Sequence, residues 1–236
     1  MTTESRVIER PRMCVRLPVG PLTLAADLRL PWAPVGVVLF CQVSGRHSPR
    51  ADFVARELGH HGFATLLVDL LTRDEEAVDV QTGQYRLDID LLAARILAAS
   101  GWLAEQPETR GLPLGYFAVS VGAAAAVSAA ARIPERVRAI VCRGAWLDLV
   151  LPSLPRVQAP TLLIVGSRDR WALQVNTAAL AELKCRKRLE VVPGAAHLFK
   201  EPDAIDRVAG LACTWFSLWL SGSNEPTQHR SPSVAP

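Results

Sequence analysis

Cysteine is scarce in this 236-residue sequence, and the few that occur form no recognisable framework. There are five, widely spaced and without a C-x-x-C pair: Cys14, Cys41, Cys142, Cys185 and Cys213. The pattern therefore indicates neither a set of disulfide bonds nor a zinc site, and it favours a reducing compartment.

An excess of charge of one sign is also missing. The chain has 26 basic and 23 acidic side chains, a formal net charge of +3, and the basic residues are spread along it. We therefore expect neither nucleic acid nor a membrane as a partner. No stretch holds the roughly 18 uninterrupted apolar residues of a membrane span, and residues 1–13 lack the apolar core of a signal peptide. These absences predict a cytoplasmic protein.

What the sequence does contain is a series of short apolar runs, and 50% of its residues are hydrophobic. Residues 13–31 form two extended runs around a Pro-Val-Gly-Pro turn, which predicts an antiparallel hairpin. Six later runs are rich in branched residues, as in strands that are buried on both faces of a sheet. They cover residues 35–41, 63–70, 112–119, 137–142, 159–166 and 187–194.

Segments with helical spacing separate these runs and follow the last: residues 48–62, 87–106, 120–133, 171–184 and 201–220. The alternation predicts an α/β fold, a doubly wound and mostly parallel twisted sheet of about eight strands in three layers. We expect one domain over residues 12–220, a flexible N-terminus over 1–11 and a disordered C-terminal tail over 221–236. The stretch 143–159 has room for one short helix, so we expect no large cap domain.

A single serine, Ser120, stands where the run 112–119 stops and an alanine-rich helix is predicted to begin. Ala118 and Gly122 flank it at two residues' distance, so the stretch has the pattern A-x-S-x-G, close to the G-x-S-x-G of a nucleophile elbow. Small residues suit this turn, because larger side chains at those positions would collide with the neighbouring strand and helix. The alternative is that Ser120 only caps the helix.

An acid and a histidine follow the serine along the chain. Asp169 comes just after the run 159–166, and His197 comes just after the run 187–194. Because the carboxyl ends of parallel strands meet at one edge of a sheet, we expect all three side chains to lie close together. Serine, acid and histidine in this order are typical of a hydrolase triad. Taken singly, Asp169 is more typical of a turn and His197 of a polar loop.

The chain resembles the dienelactone-hydrolase-like branch of the α/β-hydrolase superfamily over nearly the whole domain. The stretches that carry the resemblance are "RHSPR" (46–50), "FATLLVDLLTRDEEAVD" (63–79), "GYFAVSVGAAAA" (115–126), "APTLLIVGSRD" (159–169) and "VVPGAAHLF" (191–199). The resemblance implies the α/β-hydrolase fold, with Ser120 as the nucleophile, His197 as the general base and Asp169 as the orienting acid.

The loop after the third strand departs from this family. Relatives usually carry a His-Gly pair there, in a loop that supplies one of the two backbone N–H groups of the oxyanion hole. In this chain Gln42 and Val43 stand at that position. We expect the N–H of Val121 to be one oxyanion donor and the N–H of Gln42 or Val43 to be the other. The side-chain amide of Gln42 is an alternative donor, or a hydrogen-bond partner of the substrate.

Three more side chains near strand ends are predicted to contact the substrate: Arg46, Trp146 and Trp171. The alternative for Arg46, which the sequence favours when this residue is taken alone, is a surface position at the start of a helix. Cys41 also ends a strand, but a buried cysteine is more typical of packing than of catalysis.

Together these features favour a serine hydrolase that cleaves a carboxylic ester, lactone or thioester through an acyl-enzyme, without a metal or an organic cofactor. Its partner would be a small-molecule substrate, and the sequence does not indicate an oligomeric state. One alternative, favoured by the altered oxyanion loop, is a non-hydrolytic enzyme on the same fold that performs a cyclisation, elimination or acyl transfer. The other is a non-catalytic ligand-binding relative.

Overall fold

The strands and helices of the protein follow the hydrophobic runs of its sequence. A computed structural model describes residues 12–221. The strands are β1 (Met13–Val19), β2 (Leu22–Arg29), β3 (Gly36–Gln42), β4 (Phe63–Asp69), β5 (Leu114–Val119), β6 (Val137–Arg143), β7 (Thr161–Gly166) and β8 (Lys187–Val192). The helices are α1 (Pro49–His60), α2 (Arg73–Thr82), α3 (Ile89–Glu105), α4 (Val121–Arg132), α5 (Arg170–Glu182) and α6 (Ala204–Leu220). A 3-10 segment spans Leu147–Arg156.

All eight strands form one sheet in the order β1-β2-β4-β3-β5-β6-β7-β8. β1 pairs with β2 and β2 with β4 in antiparallel fashion, and every other pair is parallel. The predicted hairpin and the mostly parallel sheet of eight strands are therefore confirmed. The predicted flexible segment 1–11 lies outside the described residues, as does the predicted tail except for its first residue.

Helices cover both faces of this sheet, as a three-layer fold requires. Along β3 the side chains alternate between the two faces. Val38 and Phe40 pack in the cluster that contains residues of α1 and α6, whereas Leu39 and Cys41 pack in the cluster that contains residues of α3 and α4. Between β6 and β7 the chain forms only the 3-10 segment, so the described residues hold no cap domain.

The sheet changes direction between β3 and β5. The chain runs from β3 outward to β4, then returns to add β5 on the other side of β3. The two strands are in register up to the pair Cys41 and Ala118, so the residues that follow them, Val43 after β3 and Ser120 after β5, leave the sheet at the same edge. In open α/β sheets, ligands bind in the crevice at this kind of switch point, outside the carboxyl ends of the strands.

The helix α2 was not predicted, and its first turn explains why it forms. Thr72 and Glu75 make a capping box, in which Oγ1 of Thr72 accepts from the N–H of Glu75 and the Glu75 carboxylate accepts from the N–H of Thr72. The buried guanidinium of Arg95, from α3, donates to both oxygens of Glu75 at 2.6 and 2.8 Å. These contacts fix the start of α2 on the core.

Among residues 12–221, no helix combines the length and the apolar character that crossing a bilayer would require.

Candidate active site

Ser120 occupies a strained turn between β5 and α4. Its backbone angles are φ 54° and ψ −126°, a combination that non-glycine residues adopt only where the surrounding structure enforces it. The Ser120 N–H donates to the carbonyl of Arg143 at 3.1 Å, and its carbonyl accepts from the N–H of Ala123 at 3.1 Å. Within the described chain, the Ser120 hydroxyl makes no helix-capping hydrogen bond. The turn therefore has the strained backbone that a nucleophile elbow requires, and the hydroxyl does not cap the helix.

The small residue at 122 allows α4 to start directly against the end of β3. A Cβ added to Gly122 would lie 2.4 Å from the carbonyl oxygen of Cys41 and 3.0 Å from Cα of Gln42. No side chain fits in that space. The start of the serine helix and the loop after β3 are consequently in backbone contact, which brings the predicted oxyanion donors of Val121 and of residues 42–43 to the same place.

The carboxylate of Asp169 and the imidazole of His197 form a direct hydrogen bond. Asp169 ends the loop after β7, and its Oδ2 lies 2.6 Å from Nδ1 of His197 in the loop after β8. The other oxygen, Oδ1, accepts from the N–H of Ala172 at 3.1 Å and so caps α5. With both oxygens engaged, the carboxylate holds Nδ1 and leaves Nε2 of His197 to face other groups.

Gly144 connects the histidine to the serine turn. It follows Arg143, whose carbonyl accepts from the Ser120 N–H. A Cβ added to Gly144 would lie 3.2 Å from Cε1 of His197, and the φ of this glycine is +56°. Ser120 and His197 therefore both border residues 143–144, at the end of β6.

A cavity of about 380 Å³ opens beside Ser120, a volume that suits a small molecule. Five of the predicted site residues line it: Gln42, Val43, Ser120, Val121 and Trp146. The other four predicted site residues lie outside its lining: Arg46, Asp169, Trp171 and His197. The cavity thus gives a substrate access to the serine and to the predicted oxyanion donors.

Arg46 lies among acidic side chains instead of along the cavity. Its backbone N–H donates to Oδ1 of Asp69 at 3.0 Å, and its guanidinium pairs with the same carboxylate. Its Nε also lies 3.3 Å from Oδ2 of Asp27, which is only 1% exposed. Arg46 therefore anchors the loop after β3 to β4 and β2, and its contact with a substrate stays a prediction.

The two predicted tryptophans contact each other. Trp146 lines the cavity, and the Trp171 ring packs edge-on against it with 5.1 Å between ring centroids. Trp171 is half exposed. It supports the cavity wall through Trp146.

Some residues of the cavity were missed by reasoning from the sequence. Arg143 lines the cavity. The sequence did carry a signal for it, because a charged residue stands at the end of an otherwise apolar strand, directly before Gly144. Glu76 and Asp79 line it as well because α2 forms part of the wall. The stretch Thr72 to Glu75 has the S/T-x-x-E pattern of a capping box, which was the signal for that helix.

The thiols of Cys41 and Cys142, at the ends of β3 and β6, do not resemble nucleophiles. All five cysteines are free. Burial raises the pKa of Cys41 well above its ordinary value, and burial raises the pKa of Cys142 to about 12. Both thiols therefore stay protonated at neutral pH, which fits a packing role. Within residues 12–221, no group of three or more His, Cys, Asp or Glu side chains is arranged to hold a metal ion.

The sequence and the fold both match known proteins. Residues 24–220 match the model of the dienelactone hydrolase family. A dienelactone hydrolase of known structure from Anabaena variabilis is 46% identical, with a TM-score of 0.86, and the match covers 89% of this chain and 98% of that one. A dienelactone hydrolase-like promiscuous phosphotriesterase from metagenomic libraries shares the fold at 21% identity and a TM-score of 0.73, covering 89% of this chain and 98% of that one.

A curated relative from Mycobacterium tuberculosis, strain H37Rv, carries the provisional name phosphoribosyl transferase. It is 49% identical over 210 residues, which cover 88% of this chain but only 46% of the relative. This chain therefore spans about half the length of that relative. Since the family model matches most of the chain, and since the Anabaena enzyme matches 89% of it at 46% identity, the chain belongs to the dienelactone hydrolase family and has an α/β-hydrolase fold.

Proposed function

We propose that the protein is a serine hydrolase that cleaves a carboxylic ester, lactone or thioester through an acyl-enzyme at Ser120. The single observation that carries the proposal is the strained backbone of Ser120, with φ 54°, in the lining of a cavity of about 380 Å³. Such a strained turn serves catalysis because it holds the serine hydroxyl away from the helix, where it can attack the carbonyl carbon of a bound substrate.

The first chemical step needs His197 as the base. Its Nε2 would take the proton of the Ser120 hydroxyl while Oγ attacks the substrate carbonyl carbon and forms the tetrahedral intermediate. Collapse breaks the bond to the leaving alcohol, thiol or lactone oxygen, which receives the proton from Nε2. A water then attacks the acyl-enzyme by the same route and releases the acid and the free serine. Asp169, 2.6 Å from Nδ1, would hold the imidazole in the tautomer that this route requires.

The oxyanion would be stabilised by backbone N–H groups on the two elements that meet at Gly122. Val121 is the first residue of α4, so its N–H has no partner within the helix. Val43 follows the end of β3, and the carbonyl oxygen of Val43 accepts from the N–H of Leu70 at 3.1 Å, which fixes the orientation of this loop. Two preorganised donors of this kind support acyl transfer in hydrolases of many folds.

The relatives favour hydrolysis over the alternatives. The family and the Anabaena structure are both described as dienelactone hydrolases. Phosphoribosyl transfer is not carried over to this chain, because that name belongs to a protein of which this chain matches only 46%. The proposal keeps ester, lactone and thioester substrates together, since all three pass through the same acyl-enzyme.

The test is acyl-enzyme trapping with 4-nitrophenyl acetate. We expect a burst of nitrophenol from the wild-type protein, and acid quenching during the burst should leave an acetyl group on the peptide that contains Ser120. The Ser120→Ala variant should show neither burst nor adduct. Equal nitrophenol release by the wild-type protein and Ser120→Ala, with both proteins folded, would refute the serine mechanism.

A further inference from the structure

The strand β8 ends the sheet on the side opposite to β1, and its outer edge is open. Within residues 12–221, β8 pairs with β7 alone, in a parallel register that runs from the pair Thr161 and Lys187 to the pair Gly166 and Val192. The helices α5 and α6 pack against its two faces. They leave the edge itself exposed, and Val191, a branched apolar residue, is 40% exposed there.

The backbone groups of β8 divide into two sets. The carbonyls of Arg186 and Val192 accept hydrogen bonds from the first residue of β7 and from the residue just after it, at 2.8 and 3.0 Å, so both carbonyls face β7. A strand turns its N–H and C=O groups to alternate sides from one residue to the next. Lys187, Leu189 and Val191 therefore direct theirs away from β7. These unpaired groups are a template for another strand.

The sequence of β8 has little of what keeps edge strands apart. Such strands are commonly blocked by proline, by bulges or by charged side chains. The opposite edge strand β1 contains Pro18, whereas β8 contains no proline. Lys187 turns toward α5, where its Nζ donates to the carbonyl of Leu183 at 2.7 Å. The other two charged side chains of the strand, Arg188 and Glu190, form an ion pair, so the edge presents both signs of charge.

These two charges select one register for a second copy of β8. In antiparallel pairing about a twofold axis, a residue that faces outward must meet another that faces outward, so the axis passes through one residue of the strand. An axis at Arg188 would place two arginines opposite each other, and an axis at Glu190 would place two glutamates opposite each other, which is unfavourable. An axis at Leu189 places Arg188 of each copy opposite Glu190 of the other. It also pairs all the outward N–H and C=O groups, in about six hydrogen bonds.

From this arrangement we propose that the edge of β8 joins two copies of the chain, in antiparallel pairing about Leu189, so that the sheet continues across a dimer. The partner is a second copy because the edge is complementary to itself: each strand offers a cation where the other offers an anion. The inference goes beyond the proposed hydrolysis and does not depend on it, since no residue of β8 lines the Ser120 cavity.

Sedimentation velocity of the full chain tests the proposal. At concentrations up to about 100 μM, we expect the wild-type protein to reach twice the mass of one chain. Arg188→Glu places glutamate opposite Glu190, and Glu190→Arg places arginine opposite Arg188. Each variant should raise the dissociation constant of the dimer by about tenfold or more, because like charges then meet on both sides of the axis. Circular dichroism checks that both variants are folded.

An equimolar mixture of the two variants separates this pairing from a structural effect. In a mixed pair, two acidic residues of one chain face two basic residues of the other, so the mixture should dimerise within about threefold of the wild-type affinity. The double variant Arg188→Glu/Glu190→Arg should dimerise by itself for the same reason. The control is Arg16→Glu, the same change of charge at an exposed position of β1, which should leave the dimer unchanged.

Three outcomes would overturn the proposal. In the first, the wild-type chain stays monomeric at every concentration; slow hydrogen exchange at the N–H groups of Leu189 and Val191 in that monomer would show that another part of the chain pairs with the edge. In the second, the wild-type protein dimerises but neither single variant weakens the dimer, as expected for a different surface. In the third, the mixture of the two variants stays monomeric, which would mean that Arg188 and Glu190 do not face each other.

Discussion

The carboxylate of Asp169 contacts both His197 and the first turn of α5: Oδ2 lies 2.6 Å from Nδ1 of His197, and Oδ1 accepts a hydrogen bond from the N–H of Ala172 at 3.1 Å. The same carboxylate therefore orients the proposed base and caps α5. These two roles can be separated by mutation, because an asparagine side chain keeps a cap oxygen but cannot accept from Nδ1 of His197 with its amide nitrogen.

Asp169→Asn should lower kcat/KM for ester hydrolysis by on the order of 10³ to 10⁴, since the imidazole would be held in the wrong tautomer. Stability should hardly change, because the cap remains. Asp169→Ala should lower kcat/KM by a similar factor. It should also lower the free energy of unfolding by about 1 kcal/mol, because the helix cap is lost. Ester kinetics and urea unfolding measure both quantities. An Asp169→Asn enzyme that keeps more than about a tenth of its activity would contradict the proposed role of Asp169.

Gly122→Ala should destabilise the protein by about 3 kcal/mol and abolish activity, because the added Cβ would lie 2.4 Å from a backbone carbonyl at the end of β3. The matched control is Gly101→Ala, within α3, where an added Cβ meets no atom within 4 Å. That change should stabilise the protein by roughly 0.5 to 1 kcal/mol through helix propensity. Urea unfolding of both variants measures the two changes in unfolding free energy. Changes of similar size and sign at the two glycines would contradict the close approach of Gly122 to the backbone of Cys41.

Arg46→Met tests whether Arg46 positions the oxyanion loop or binds the substrate. If it positions the loop, the variant should lose about 3 kcal/mol of stability, because the buried Asp27 carboxylate then keeps only the more distant side chains of Arg12 and His47. The kcat should also fall by about tenfold or more for neutral and anionic esters alike.

Arg132→Met is the control for this prediction. It breaks an ion pair with Asp90, whose side chain is 86% exposed, and should cost less than about 1 kcal/mol. If Arg46→Met instead raises the KM for charged substrates and does not lower stability, that result would support the predicted contact between Arg46 and the substrate.

The Glu75 carboxylate makes stability depend on acid pH. The hydrogen bonds from Arg95, assisted by those of Thr72, hold the pKa of Glu75 below its ordinary value. The unfolded chain, with a glutamate pKa of about 4.3, therefore binds this proton more readily than the folded protein does. The stabilisation is present above about pH 4.3 and is lost as the pH falls through the lower pKa of the folded state.

Glu75→Gln checks this prediction, because glutamine preserves the capping box while removing the charge. The difference in unfolding free energy between the wild-type protein and Glu75→Gln should shrink between pH 6 and pH 3. A difference that does not vary with pH would mean that the charge on Glu75 contributes nothing to the anchoring of α2.

The sequence predicts the fold and the convergence of the site for a physical reason. Strands buried on both faces need continuous apolar runs, and six such runs, together with the predicted hairpin, placed the ends of all eight strands to within two residues. Six of the strands are parallel, so their carboxyl ends lie at the same edge of the sheet. The positions of Ser120, Asp169 and His197, each just after one of these strands, were therefore enough to predict that the three residues share that edge. The direct contact between Asp169 and His197 agrees with this prediction.

The surroundings of the site depend on contacts between residues that are distant in the chain. Arg46 finds Asp27 on β2, and nothing in the local pattern of either segment indicates the other. The helix α2 has little apolar periodicity and depends on Arg95 of α3 for its anchor.

The most direct measurement of the central claim is labelling with a fluorophosphonate probe, followed by intact mass and peptide mapping, on the wild-type protein and on Ser120→Ala. A phosphonate on serine requires both an activated hydroxyl and a working oxyanion site. We predict one adduct per chain on the peptide that contains Ser120, and none on a folded Ser120→Ala variant. A folded wild-type protein that takes up no probe, or a Ser120→Ala variant labelled to the same extent, would contradict the assignment of Ser120 as the nucleophile.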